Sequence, residues 1–254
     1  PMLVGSFLQQ CYNIADTLIV GQCIGAGALA AVGSAYTLMV FLISVLLGLA
    51  MGSGTVFSLH YGAGNHVALR RSIFSSFALI GIVTLILNVV VFIWLDPILR
   101  LLQVPQDIYG MMRSYLWIIF CGIVFTFIYN FYASLLRAVG DSVTPLWFLA
   151  VSVVLNIALD LFFILQLDWG IQGAAAATVL AQGVAALGII IYTYRRRPEL
   201  RWHHEDMCFD RTCLKEIASF STLTCVQQSV MNLGILMVQG LVNSFGTAVM
   251  AAFA

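Results

Sequence analysis

Charge is what this sequence has least of. Its 254 residues include eleven Lys and Arg, eleven Asp and Glu, and four His, so charged side chains make up 9% of the chain. A soluble domain carries about 25%. So few charges cannot clothe a water-soluble globule of this size, and soluble classes are excluded. The formal net charge is zero, which offers nothing to a nucleic acid. Only five prolines are present, and apolar content is too high for a collagen-like or disordered chain. Six cysteines in this length are too few for a disulfide scaffold. What is abundant is apolar surface, at 61% of residues. An all-α integral membrane protein is the class that remains.

No charged segment or small-residue cleavage site precedes the first apolar run, so that run does not read as a signal peptide. Pro1 lies inside one apolar run and Ala254 inside another. The sequence is therefore expected to be part of a longer protein. A helix needs about 20 apolar residues to cross the hydrocarbon core. Spans fall at 1–24, 29–60, 72–95, 114–136, 146–167, 171–194 and 217–243, and an eighth begins near Thr247. The 29–60 run is long enough to tilt, bend or project from the bilayer. The expected architecture is a polytopic bundle of about seven transmembrane helices. Residues 1–195 form a six-helix N-terminal lobe, 196–216 a polar linker, and 217–254 the first helix and the start of the second of another lobe.

Basic residues set the orientation. Connections after the second, fourth and sixth spans carry Arg70, Arg71, Arg137, Arg195, Arg196, Arg197, Arg201, Arg211 and Lys215; the others carry only Arg100 and Arg113. The arginine-rich loops, linker included, are expected in the cytoplasm. Trp94, Trp117, Trp147, Trp169 and Trp202 fall near span ends, as an interfacial aromatic belt requires. Cys11, Cys121 and Cys225 lie within spans, and Cys23 at a span end; Cys208 and Cys213 lie in the linker near His203 and His204. Their spacing is not that of a zinc site, and a solvated loop is the better reading.

Two carboxylates break the pattern. Asp16 and Asp160 lie within spans, where an ionisable group costs about 2.5–3.5 kcal/mol on insertion scales. Counting from the nearest span ends at about 1.5 Å per residue places both about 10–12 Å below the outer surface. Thr178 enters at the same depth, and Asn156 and Gln182 lie one helical turn deeper. Gln9, Tyr12, Asn13 and Asp16 form one stripe at helical spacing; Ser152, Asn156 and Asp160 form another, and Thr178 and Gln182 a third. Three polar stripes on apolar helices are satisfied if they face a common interior. Single Ser, Thr or Gln residues also serve as interhelical glue, but two carboxylates at one depth point to function. If they are close, one can hold a proton near neutral pH, or a monovalent cation can sit between Asp16 and Asp160 with Asn156 and Thr178 supplying neutral oxygens. Asn130, deeper in the fourth span, is a weaker candidate for lining a cavity.

Residues 8–20, LQQCYNIADTLIV, can be laid on 226–238, VQQSVMNLGILMV, and ALAAVG at 28–33 on VMAAFA at 249–254. The match is weak, but it begins where a second six-helix copy would start. Asp16 falls opposite Gly234, so the carboxylate is not duplicated.

The segments QQCYNIADTLIVGQ, ALAAVG, LRAVGDSVTP, LNIALDLFFI and GIQGAAAAT, in that order along the chain, resemble the multidrug and toxic compound extrusion (MATE) family, and most of all its prokaryotic DinF-type branch. The resemblance implies twelve helices in two lobes around a central cavity, and export of cationic amphipathic drugs in exchange for protons or sodium. It implies a coupling site at Asp16, Asn156, Asp160 and Thr178, with Tyr12 beside it, and no cofactor beyond H+ or Na+. It also implies a prokaryotic plasma-membrane protein, monomeric at full length, whose partners are a small cationic substrate and the bilayer. Pro1 corresponds to the proline at which the first helix bends. Two departures stand out. The seventh span has Gln227 and Gln228 where some branches place a sodium-linked Glu, and Leu161 follows Asp160 where relatives often have Pro. A lipid-linked precursor flippase of the same superfamily is the alternative, disfavoured because no basic residue lies mid-span. An intramembrane aspartyl protease using Asp16 and Asp160 is a third reading; the only Gly–Asp pair, Gly140–Asp141, lies in a loop. A non-transporting scaffold whose basic linker binds anionic lipid is weaker than plain cytoplasmic anchoring.

Overall fold

The computed structural model describes residues 2–201, 211–245 and 249. It is built of helices, with no strand among the described residues. In chain order they are α1 (Met2–Cys23), α2 (Ala26–Gly62), α3 (His66–Leu101), α4 (Gln106–Cys121), α5 (Ile123–Ala138), α6 (Val143–Leu161), α7 (Gly170–Arg196) and α8 (Arg211–Asn243). A π-helical turn, Phe162–Gln166, continues α6, and a 3-10 turn, Pro198–Leu200, follows α7. Trp202, His203, His204, Cys208, the side chains of Cys11 and Cys213, Pro1 and the expected eighth span lie outside the described residues.

Six of the seven expected spans within the described residues correspond to one helix each, and the fourth to the pair α4 and α5; most of the helices run further than the apolar stretch that marked them. The protein is an all-α, multi-pass membrane protein. Helices α2, α3, α7 and α8, and α6 with its π turn, are long and apolar enough to cross a bilayer. Helix α4 with α5 makes a sixth, bent span. Helix α1 is 22 residues long, but Gln9, Gln10, Asn13 and Asp16 dilute its apolar content. It is held instead between α2 and α6. Helix α2 has 37 residues, about 55 Å at about 1.5 Å per residue, so it outruns a hydrocarbon core of about 30 Å.

Short connections make sequential helices antiparallel. Asn65 caps α3 by accepting the Ala68 N–H at 3.1 Å, the role for which a side-chain oxygen is favoured at a helix start. The inner part of the bundle is filled by aromatic rings: Phe77 packs on Phe127 and Phe131 at 5.2 Å between centroids, and Phe57 on Phe131 at 5.9 Å. Trp94, Trp147 and Trp169 remain exposed on the outside of the bundle, as an interfacial belt needs.

The fourth span is not the straight helix expected over 114–136. It bends by 50° between α4 and α5 at Gly122. A Cβ at Gly122 would stand 2.5 Å from both methyl carbons of Val179, so only glycine lets the chain lie this close to α7. The Asn88 amide donates to the Phe120 carbonyl at 2.9 Å, giving it a partner where the helix breaks.

The α5–α6 connection is tied to the end of α7. Asp141 accepts from the Thr144 N–H at 3.1 Å, the Thr144 hydroxyl at 2.8 Å and the Tyr192 hydroxyl at 3.3 Å, with Arg197 at 3.8 Å. Burial pushes this carboxyl up, but these bonds and the Arg197 charge together hold it below its ordinary range.

Helix α8 lies along α2 more extensively than any other helix pair packs. Gly48 and Gly52 form a Gly-x-x-x-Gly step on α2 whose backbone rests on that of Cys225 and Ser221; a Cβ at either glycine would overlap it. Small residues at this spacing let membrane helices approach closely. The spacing was legible in the sequence as GLAMG.

Candidate functional site

The polar stripes meet. Asn156 and Asp160 on α6 are fully buried, and Asp16 on α1 is 7% exposed. The carboxyl groups of Asp16 and Asp160 come within hydrogen-bonding reach of each other. Asp160 Oδ2 accepts from the Asn156 amide nitrogen at 3.1 Å, and the Asn156 amide oxygen accepts from the Thr178 N–H at 3.3 Å; the neighbours fix this orientation of the amide. The Tyr12 hydroxyl donates to Thr178 Oγ1 at 3.2 Å. Three helices thus supply Tyr12 and Asp16, Asn156 and Asp160, and Thr178.

Local structure explains the convergence. Tyr12 and Asp16 are one turn apart on α1, and Asn156 and Asp160 one turn apart on α6, so each pair presents its groups on one face. Helix α7 carries Thr178 to this face, and Gly173, Ala174, Ala175 and Ala177 just before it are small and buried. The π-helical turn begins two residues after Asp160, at Phe162. Irregular turns of this kind are often found at functional positions.

One oxygen of each carboxyl, Oδ1 of Asp16 and Oδ1 of Asp160, is buried without a hydrogen-bond partner. A buried polar atom left this way is costly unless something else occupies it in the working state. The Asn156 amide presents its nitrogen to Asp160 and its oxygen to the Thr178 N–H, so it does not supply the neutral oxygen expected of it for a cation; two buried carboxyls with orphaned oxygens can still hold a proton between them or accept a small hard cation.

Not every sequence candidate joins this cluster. The Asn13 amide donates to the Tyr36 hydroxyl of α2 at 3.0 Å and to Gln10 Oε1 at 3.3 Å, so it ties α1 to α2. Gln9 is exposed on α1, and Gln182 is half-buried one turn beyond Thr178 on α7. The Asn130 amide turns back on its own helix and donates to the Thr126 carbonyl at 2.8 Å. One neighbour was missed: Tyr115 of α4 is buried close enough for its phenol to sense Asp16, Asp160 and Tyr12. At the second residue of the expected 114–136 span it reads as an interfacial aromatic; only the earlier start of α4, at Gln106, carries it into the bundle.

A family model described as MatE matches residues 1–162. The probable multidrug resistance protein YpnP of Bacillus subtilis is 31% identical over 260 residues, covering 100% of this chain and 56% of its own. The multidrug export protein MepA of Staphylococcus saprophyticus is 31% identical over 204 residues, covering 77% of this chain and 44% of its own. Among solved structures, an inward-facing multidrug resistance MATE family transporter of the MOP superfamily superposes with a TM-score of 0.86 at 25% identity, over 96% of this chain and 56% of that one. The bent form of the Vibrio cholerae MATE transporter VcmN gives 0.84 at 27% identity, over 100% of this chain and 57% of that one. The chain spans about half the length of the curated relatives it matches.

Proposed function

The chain belongs to the multidrug and toxic compound extrusion family of membrane transporters, and from that footing we propose that it serves a secondary antiporter that exports cationic amphipathic drugs or toxins in exchange for protons or sodium. The coupling site is Asp16, Asn156, Asp160 and Thr178, with Tyr12 alongside. The observation that carries this reading is the buried carboxyl pair with an unpartnered oxygen on each side.

The chemistry follows from what each group can donate. Two ionised carboxylates are acceptors only, so a hydrogen bond between Asp16 and Asp160 requires a proton on one of them. With that proton, α1 and α6 are held together at this level. Without it, two negative charges face each other at low dielectric and repel. Either α1 moves away or a cation enters between the orphaned oxygens. The Asn156 amide and the Thr178 N–H form a fixed line on the α6–α7 side, while Tyr12 follows α1. Binding of the ion thus changes the relation of α1 to the rest of the lobe, which is the energetic difference between states that coupling requires. The connections after the second, fourth and sixth spans, flanked by Arg70 and Arg71, by Arg137 and by the basic linker 196–216, face the cytoplasm, the protein resides in the plasma membrane of a prokaryote, and the full-length protein is a monomer.

In the full-length transporter, Asp16→Asn is expected to abolish export of a cationic dye such as ethidium while leaving the protein in the membrane at normal level. Retained export by that variant refutes the assignment.

A further inference from the structure

The α2–α8 contact has two chemically different halves. In the half towards the α2–α3 loop, Gly48 and Gly52 rest on the backbone of Cys225 and Ser221. The Ser221 hydroxyl donates to the Leu49 carbonyl at 3.2 Å. Beyond it, Val56 and Ile217 are buried against each other, and His60 stands 3.3 Å from Glu216. In the half towards the α1–α2 loop the contact is a network of neutral side chains, all buried. The Ser34 hydroxyl donates to Asn243 Oδ1 at 2.8 Å, and Gln239 Nε2 donates to Ser34 Oγ at 2.8 Å and to Asn243 Oδ1 at 2.9 Å. The Thr37 hydroxyl donates to Gln239 Oε1 at 3.2 Å, and Asn243 Nδ2 donates to the Leu102 carbonyl, just past the end of α3, at 2.9 Å. Each amide in the network is used at both ends.

These halves respond differently to a tilt of α8. Backbone resting on backbone has no side chain to yield, and packed interiors move as units rather than deform. A neutral polar network can exchange partners with water when it separates, because each of its groups is as well satisfied there as inside. We propose that Ser34, Thr37, Gln239 and Asn243 form a separable latch that holds the end of α8 against α2 and α3, and that the Gly48–Gly52 contact is the fulcrum about which α8 tilts when the latch opens. Tyr36 lies between Ser34 and Thr37 in sequence and accepts from Asn13 on the helix that carries Asp16, so the latch segment is also bound to α1. The functional meaning of the latch, access to a central cavity from the α1–α2 loop side, rests on the antiport reading above. Its mechanics do not.

The test is a pair of distances measured by spin labels on the chain in lipid nanodiscs, with the native cysteines replaced by serine. One pair, at the exposed positions Leu101 and Leu241, reports the latch; the other, at the exposed positions Leu59 and Ala218, reports the fulcrum side. Gln239→Leu is expected to lengthen the first distance by several ångströms and to leave the second unchanged. Thr37→Val, which removes one peripheral bond, is expected to shift the first distribution in the same direction, and it serves should Gln239→Leu fail to fold. Both distances lengthening together means that α8 comes away as a whole, and neither changing means that the network is not a latch; each result overturns the proposal. No transport is measured, so loss of the antiport reading through dye export by Asp16→Asn leaves this outcome separately legible.

Discussion

Replacing Asp16 by asparagine is expected to make the folded chain more stable, not less. Asp16 is nearly buried, faces the carboxyl of Asp160, and carries an oxygen with no partner. An ionisable carboxyl at mid-membrane costs about 2.5–3.5 kcal/mol. Asparagine keeps the shape, removes the ionisable group and places an amide that can donate to Asp160. Because Asp16 and Asp160 share the burden between them, the gain is about 2 kcal/mol, somewhat below that range. For a chain of this size about 1 kcal/mol moves the melting midpoint by about 2–4 °C, so the rise is about 4–8 °C. Thermal denaturation of the detergent-solubilised chain, followed by tryptophan fluorescence, measures it. The double variant Asp16→Asn with Asp160→Asn is expected to gain less than the sum of the two single changes, because the first removes the repulsion felt by the second. A midpoint that falls by several degrees in Asp16→Asn would refute the reasoning, since that is how a residue kept for structural bonding behaves. Stability gained as transport is lost is the signature of a group held for function.

Two further predictions concern the frame around the site. Gly122→Val drives a side chain into Val179, next to Thr178, and is expected to cost about 1–3 kcal/mol by overpacking. Gly81→Ala, whose Cβ would meet only ordinary contacts with Phe127, is the control expected not to lower the melting midpoint, since alanine is the better helix former. Asp141→Asn should destabilise the chain near neutral pH. Because the folded carboxyl titrates below its ordinary value, its contribution is present above the unfolded value of about 3.9 and fades as the pH falls through the folded one. The gap in melting midpoint between Asp141→Asn and the parent chain should therefore close only in acid, and a gap that stays constant down to about pH 3 contradicts the assignment.

Much of the site was legible because membrane helices obey two simple constraints. Depth can be counted from a span end, and groups one turn apart share a face. Those constraints placed Asp16, Asn156, Asp160 and Thr178 in one layer, where the structure also has them. They could not settle Asn130 or Gln9, because facing a common interior depends on helix rotation, and rotation is set by neighbours. Asn130 satisfies itself on the Thr126 carbonyl, and Gln9 lies on the exposed side of its stripe. Tyr115 was overlooked because, at the second residue of the expected 114–136 span, it reads as an interfacial aromatic, while α4 starts earlier, at Gln106. The bend at Gly122 was overlooked because hydropathy is blind to a break that leaves apolar content unchanged on both sides.

The sequence by itself determined the solvent and the secondary structure. A chain with this little charge must live in lipid, and lipid demands that every backbone group be satisfied within its own helix or a closed barrel; the long apolar runs chose helices. It also determined that two carboxylates would be expensive where they stand. What only the tertiary structure decided is which polar groups meet. That choice turned on residues with almost no side chain: Gly122 against Val179, and Gly48 and Gly52 against α8. Contact between helices in a membrane is governed by how closely their backbones can approach, and that distance is a property of two surfaces together, which no single stretch of sequence contains.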